Sequence, residues 1–450
     1  MTSSRTLPSG QDVPPARWEA PTHARLVVLA FLCLLSFVLY LDRVCMGQAV
    51  GPIQDELGLS NTQMGMVLMA FTLAYGLFEV PTGRWGDRFG SRAVLTRIVI
   101  WWSAFTALTG ACTGVGTLLA VRFLFGAGEA VAYPNVARVI ARWFPPSERG
   151  RVQGLFMASS LAGGMAAPVL AGYLIGVWGW RGMFGTFGVI GLAWAVAFAA
   201  WFREDPAAHP AVNAAERALI GAAPPPPSHA HVPWRAALTN RNIWLLGTII
   251  SCGAATSYLY YSWYPKYLQA ARDVGQIESG WLVALVLAGG VAGMLAGGII
   301  GDRFIRRSAD GGRARRRLGT GAFVVAATLL LASTACDSPL TSTMLASSSC
   351  LAMACQQSAW WSSASEIGGR NLGALFGLLN MMGMPGAMAS QFFFGAWADW
   401  RQAQGFTGRA QWDAGLFAYA GLLLLGAVCW GFVDTSRSIG EEEHRAADKP

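Results

Sequence analysis

Twelve apolar runs, each of about 20 residues and so long enough to cross a hydrocarbon core of about 30 Å, divide this 450-residue chain. They fall near 26–50, 63–82, 94–113, 116–141, 152–177, 182–202, 242–268, 280–300, 318–336, 340–364, 372–398 and 414–433. Runs 4 and 10 are diluted, by Pro134 and by Ser347 to Ser349. With 54% apolar and only 13% charged residues, the composition excludes an ordinary soluble domain. The fold class expected is an all-α integral membrane protein with twelve transmembrane helices.

Arginine placement gives an orientation. Arg84, Arg88 and Arg92 lie between runs 2 and 3, Arg142 and Arg149 between runs 4 and 5, and Arg303, Arg306, Arg307, Arg313, Arg315, Arg316 and Arg317 between runs 8 and 9. The opposite loops hold chiefly Arg181, Arg272, Arg401 and Arg409. The positive-inside rule then puts both termini in the cytoplasm. The net charge of +8 follows from this topology, and no basic run is interleaved with stacking aromatics, so no nucleic-acid partner is expected. Residues 1–24 lack a short apolar segment with a small-residue cleavage site, so no removable signal peptide is expected. All eight cysteines lie in or at the ends of runs without metal-ligand spacing, so neither a metal nor a cofactor is expected. Lys266 and Lys449 are the only lysines among 33 basic residues, the usage of a GC-rich bacterial genome. A multi-pass protein of a bacterial inner membrane, monomeric and surrounded by lipid, is the expected setting.

The chain repeats itself. Gly86-Asp87-Arg88-Phe89 follows run 2, and Gly301-Asp302-Arg303-Phe304 follows run 8. Trp180-Arg181-Gly182-Met183-Phe184 and Trp412-Asp413-Ala414-Gly415-Leu416-Phe417 each open the last run of a half. The expected domains are a tail at 1–25, a six-helix bundle at 26–202, a polar linker at 203–241 holding Pro224 to Pro227, a second six-helix bundle at 242–433 and a tail at 434–450. Two such bundles with a ligand site between them near the membrane midplane is a recurring transporter plan.

Gly83-Arg84-Trp85-Gly86-Asp87-Arg88-Phe89-Gly90-Ser91-Arg92 resembles the loop signature of the major facilitator superfamily, and Gly297 to Arg307 resembles its second copy. That resemblance implies the major facilitator fold and gating roles for Asp87, Arg88, Arg92, Asp302 and Arg303, which would clamp helix ends during switching. A solvated basic turn is the alternative account of these residues. A narrower resemblance is to the anion:cation symporters, which carry substrates such as galactonate, glucarate and hexuronates. It rests on Tyr40-Leu41-Asp42-Arg43, on Arg122 to Glu129 with Tyr133-Pro134-Asn135, and on Glu204-Asp205-Pro206, His209-Pro210 and Glu216-Arg217. Glu366 to Arg370 and Met384-Pro385 depart from the family's pattern in the half that shapes the pocket.

The residues themselves point the same way. A charge in the middle of a bilayer costs at least about 2.5 to 3.5 kcal/mol, so Asp42, Arg43, Arg122 and Glu129 mark a functional path. Ser36, Tyr40, Arg43 and Gly47 share one helix face, as do Thr72, Tyr75 and Glu79, and Arg122, Gly126, Glu129 and Tyr133. These faces are expected to line one cavity, with Glu129 at mid-depth and Asp42, Arg43 and Arg122 nearer the outer side. All five histidines lie outside the runs, which leaves carboxylates to carry protons. Asp42 and Glu129 are assigned that role, and Glu79, near Pro81, a structural tether.

Arg43 is assigned to the anion, whose carboxylate fits the guanidinium fork, and Arg122 to an ion pair with Asp42. A static pair that fixes helix register is the alternative for both arginines. Tyr75, Tyr258, Tyr261, Trp361 and Asn380 are candidates for hydrogen bonds or a stacking wall, and the resemblance implies pocket positions for Tyr75, Trp361 and Asn380. Packing accounts equally well for each aromatic. The function expected is proton-coupled uptake of a small organic anion, a sugar acid such as a hexonate or hexuronate, by alternating access. An exporter or exchanger, motivated by Gly163 to Gly172, and a transporter-like receptor are the alternatives. No nucleophile triad, metal cluster or phosphate loop supports an enzyme.

Overall fold

The computed structural model describes residues 20–82, 89–221, 234–308, 310–368 and 372–435. Asp87, Arg88 and most of the first loop signature lie outside these residues, as do 1–19, 222–233 and 436–450 of the tails and linker. The described chain is helical. α1 (Ala24–Leu57) ends at Gly58, whose φ of 63° suits a residue without a Cβ. It is followed by α2 (Asn61–Thr82), α3 (Ser91–Thr109) and α4 (Val115–Trp143), which is interrupted around Ala130 and Val131. α5 (Pro146–Trp201) counts 56 residues, which as one rod would run about 84 Å. Gly179, at φ 68° and ψ 172°, divides it into two.

The second half repeats this order with α8 (Arg241–Arg272), α9 (Gln276–Arg307), α10 (Gly311–Thr334), α11 (Pro339–Cys355), α12 (Gln357–Gly368), α13 (Leu372–Ala403) and α14 (Arg409–Phe432) once the connecting helices α6 (Ala214–Ile220) and α7 (Trp234–Thr239) have passed. Among the described residues, seven helices are long and apolar enough to span a membrane.

The first stretch of the polar linker is folded onto the first half. Asp205 and Asn213 cap short helical turns. Glu216, fully buried, accepts hydrogen bonds from the backbone N–H groups of Ala24 and Arg25 and from the Thr22 hydroxyl, and pairs with the Arg25 guanidinium at 3.1 Å. A carboxylate at the first turn of α1 satisfies orphan donors and complements the helix dipole. Burial pushes the Glu216 pKa up, but these hydrogen bonds outweigh it and hold the group below its ordinary value. His209 sits between Trp143 and Trp201. Its Nδ1 accepts from the Ala211 N–H, so Nε2 is the donor to the Trp201 carbonyl.

The two halves meet unevenly. At the end of the molecule away from the linker, Val44, Ile53 and Met64 share one apolar core with Leu259, Trp263 and Val283 of the second half. At the linker end, Val28, Leu32, Trp143, Phe144 and Phe198 belong to a core whose buried residues all come from the first half and the linker, with Met384 packed on it from the second half. The far end is therefore the closed one.

Closure there depends on one irregular turn. Pro265 has no N–H to bond the carbonyl of Tyr261 four residues earlier, and Leu259–Trp263 adopts a π-helical turn. The Tyr261 carbonyl is directed at α1, where a Cβ on Gly47 would lie 2.2 Å from its oxygen. Gly47→Ala is expected to destabilise this conformation by about 1–3 kcal/mol, the usual range for overpacking. Gly76→Ala is the contrast, because a Cβ there would meet only the flexible Met384 side chain, at 3.5 Å. Thermal unfolding of the two variants in detergent checks this. Wild-type melting in Gly47→Ala would show that the contact does not matter.

Candidate functional site

The site is built on α1, α4 and α2. Arg43, at the midpoint of α1, donates from Nε to Oε1 of Glu129 at 2.9 Å, and its Nη2 lies 2.7 Å from the same oxygen. Both nitrogens engage one oxygen, and Oε2 accepts no hydrogen bond. The rings of Tyr40, Phe71 and Tyr75 surround the guanidinium at 5.2, 5.3 and 4.9 Å, an arrangement that an aromatic-stacking, planar cation suits better than an ammonium. Glu129 is only 1% exposed. Arg43 is level with Glu129, deeper than its place in the sequence suggested.

Asp42 and Arg122 depart from expectation. Each is buried, at 1% and 2% exposure, yet they form no ion pair with each other in this conformation. Both Asp42 carboxylate oxygens, and Nε and Nη1 of Arg122, lack hydrogen-bond partners. Helix geometry explains this: neighbours on a helix point about 100° apart, so turning Arg43 toward Glu129 turns Asp42 away. Arg122 stands two turns from Glu129, about 10 Å along α4, and rests over the rings of Phe125 and Phe71 at 4.5 and 5.3 Å. Its pairing with Asp42 is thus not a feature of this state.

A cavity of about 390 Å³ opens between the halves, and Arg43, Tyr40, Tyr258, Tyr261 and Asn380 line it. Tyr75 stands behind Arg43 and does not line the cavity. Trp361 is corrected. It is 48% exposed, packs on Phe376 at 4.4 Å and lies off the cavity, while the adjacent Trp360 lines it and donates to the Leu246 carbonyl. One residue along a helix reverses such an assignment. Asn380 donates to both oxygens of Glu79, at 3.0 and 3.3 Å, across the two halves. The helix faces are also sorted: Ser36 donates to the Phe156 carbonyl and so faces α5, away from the cavity.

The gating residues that are described behave differently from one another. Arg92 donates its backbone N–H to Glu204, which also pairs with Arg142 at 3.3 Å, and its side chain reaches the Ala199 carbonyl. Asp302 and Arg303 are exposed and form no ion pair with a described residue. Arg315 and Glu366 pair instead, at 2.6 Å, and join the start of α10 to the end of α12.

Sequence reasoning missed the far-end seam. Gln391 of α13 accepts from the Thr72 hydroxyl at 2.7 Å and donates to Ser262, Gln48 accepts from Gln269 and Gln276, and Asp399 accepts from the backbone and side chains of Asn61 and Thr62. Pro265, inside an apolar run, is the sequence signal for the irregular turn on which this seam is built.

The family profile of the Major Facilitator Superfamily matches residues 32–391. The chain belongs to that superfamily. A probable sulfoacetate transporter of Cupriavidus necator is 30% identical to it over 82% of this chain and 86% of that protein. A probable L-galactonate transporter of Escherichia coli is 34% identical over 68% and 69% of the two chains. Among solved structures, a bacterial homologue of the human lysosomal transporter Spinster superposes with a TM-score of 0.77 at 18% identity, over 91% of this chain and 97% of that one. The fold is the all-helical major facilitator fold, and the protein is a multi-pass membrane transporter similar to the anion transporters named above, not an enzyme.

Proposed function

We propose that this transporter couples proton entry to uptake of a small organic anion, a sugar acid such as a hexonate or hexuronate, by alternating access. It crosses a bacterial inner membrane twelve times as two six-helix bundles, with the linker end and both termini in the cytoplasm. The observation that carries this reading is the Arg43–Glu129 pair at the wall of the central cavity. Arg43 is the natural ligand for an incoming carboxylate, which must compete for it with Glu129. Loss of a cationic partner favours the neutral form of a buried acid, so anion binding and proton uptake are linked through one guanidinium. Tyr258, Tyr261 and Asn380 supply hydrogen bonds on the opposite wall. The closed far end and the separate cores at the linker end fit a state open to the cytoplasm. The two named relatives both carry small organic anions in their descriptions, which supports the same substrate class.

Arg43→Lys tests the reading. It keeps the charge but loses the fork and the ring stacking, and a charge-assisted hydrogen bond is worth about 1.5–3 kcal/mol. Calorimetry with a panel of hexonates and hexuronates is expected to show binding weakened about 10- to 100-fold. A dissociation constant equal to that of the wild type would remove Arg43 from the ligand shell, and equal binding of the corresponding neutral sugar would remove the anion site.

A further inference from the structure

Six of the seven arginines at the end of α9 and the start of α10 fall into two groups. Arg313 pairs with Asp310 at 3.1 Å, Arg315 with Glu366 at 2.6 Å and Arg316 with Asp434 at 3.6 Å. Arg303, Arg307 and Arg317 make no ion pair with a described acid, and these three converge on one cavity of about 380 Å³ at the linker end, walled by Ile300 and Phe304. Asp302, beside Arg303 in the sequence, lines a separate crevice with Arg315.

Among the described residues no acid pairs with these three guanidiniums, and their mutual repulsion around one hollow favours an anion that joins them. The helix they stand on also says what kind. Leu295, Ile299, Arg303 and Arg307 follow one another at four-residue spacing, so they form one stripe along α9. Leu295 and Ile299 are 70% and 57% exposed, and Phe304 is 50% exposed. The cationic hollow therefore continues directly into an apolar strip that runs toward the middle of the membrane.

We propose that this hollow holds the phosphate of an anionic phospholipid, with an acyl chain lying along Leu295 and Ile299. A basic pocket between transmembrane helices at the cytoplasmic surface is suited to such a headgroup. A free phosphate or nucleotide would use the arginines but would leave the apolar strip unexplained.

The test is native mass spectrometry of the purified full chain, titrated with phosphatidylglycerol or with phosphatidylcholine of the same acyl chains. The wild type should retain phosphatidylglycerol selectively. Arg307→Gln with Arg317→Gln, which leaves Arg303 in place, should weaken that retention about 30-fold, or about 2 kcal/mol at about 1 kcal/mol per arginine. Arg313→Gln, which removes an arginine already paired with Asp310, should not weaken it. Equal retention of the two lipids by the wild type, or undiminished selectivity in the double variant, overturns the proposal. Inorganic phosphate provides a further arm that does not depend on any variant folding. If millimolar phosphate raises the wild-type melting temperature as much as phosphatidylglycerol does, the occupant is a free anion and the lipid assignment fails. If phosphatidylglycerol alone does so, it stands.

Discussion

Glu129→Gln is expected to abolish accumulation of substrate against its gradient while substrate exchange across the membrane continues. Glutamine has the shape of the protonated acid and cannot release a proton, so the variant is locked in one member of the couple. Its partner changes too. Arg43 gives two nitrogens to one oxygen of Glu129, and with that charge gone it faces the cavity uncontested. Anion binding should then tighten rather than weaken, by about tenfold if one charge-assisted contact no longer has to be displaced. Reconstituted vesicles with an imposed pH gradient measure the first effect, and counterflow with calorimetry measures the second. A variant that still concentrates substrate as the wild type does would exclude Glu129 as an obligatory proton carrier.

The second large effect concerns Asp42 and Arg122. Opposite charges enclosed in one low-dielectric compartment interact without touching, and here they lie buried without a shared hydrogen bond. We expect them to pair in another conformation of the cycle. Removing one member leaves a lone buried charge, at a cost of about 3–5 kcal/mol, whereas neutralising both can be nearly free. Asp42→Asn and Arg122→Gln should each depress thermal stability strongly, and the double variant should regain most of it while proton-coupled uptake stays lost. Recovery of stability and uptake together would make the pair a strut. Additive losses would mean that the two never meet.

Much of this architecture was legible because a bilayer imposes simple rules. Apolar run lengths, the Asp42-Arg43 and Arg122 to Glu129 segments and the duplicated loop all announce themselves in one dimension. What was not legible is azimuth and partnership. Asp42 and Arg43 are adjacent, and nothing in their order says which one turns toward Glu129; that is decided by how α1 packs on α4. Trp360 and Trp361 pose the same ambiguity, and packing against Leu246 and Phe376 resolves it. The linker's fold was hidden because its apolar content is low, and its order comes from one carboxylate, Glu216, capping a helix about 190 residues earlier in the chain.

Most hydrogen bonds of the far-end seam are made by amides and hydroxyls. Gln48, Gln269, Gln276, Ser279 and Gln391 carry no charge at any physiological pH. Asp399, the acid among these contacts, already receives four hydrogen bonds at the first turn of α2. Those neutral contacts do not titrate with the medium they exclude. The acid response proposed for this carrier is therefore expected from the Arg43–Glu129 pair deep in the path and not from these amides.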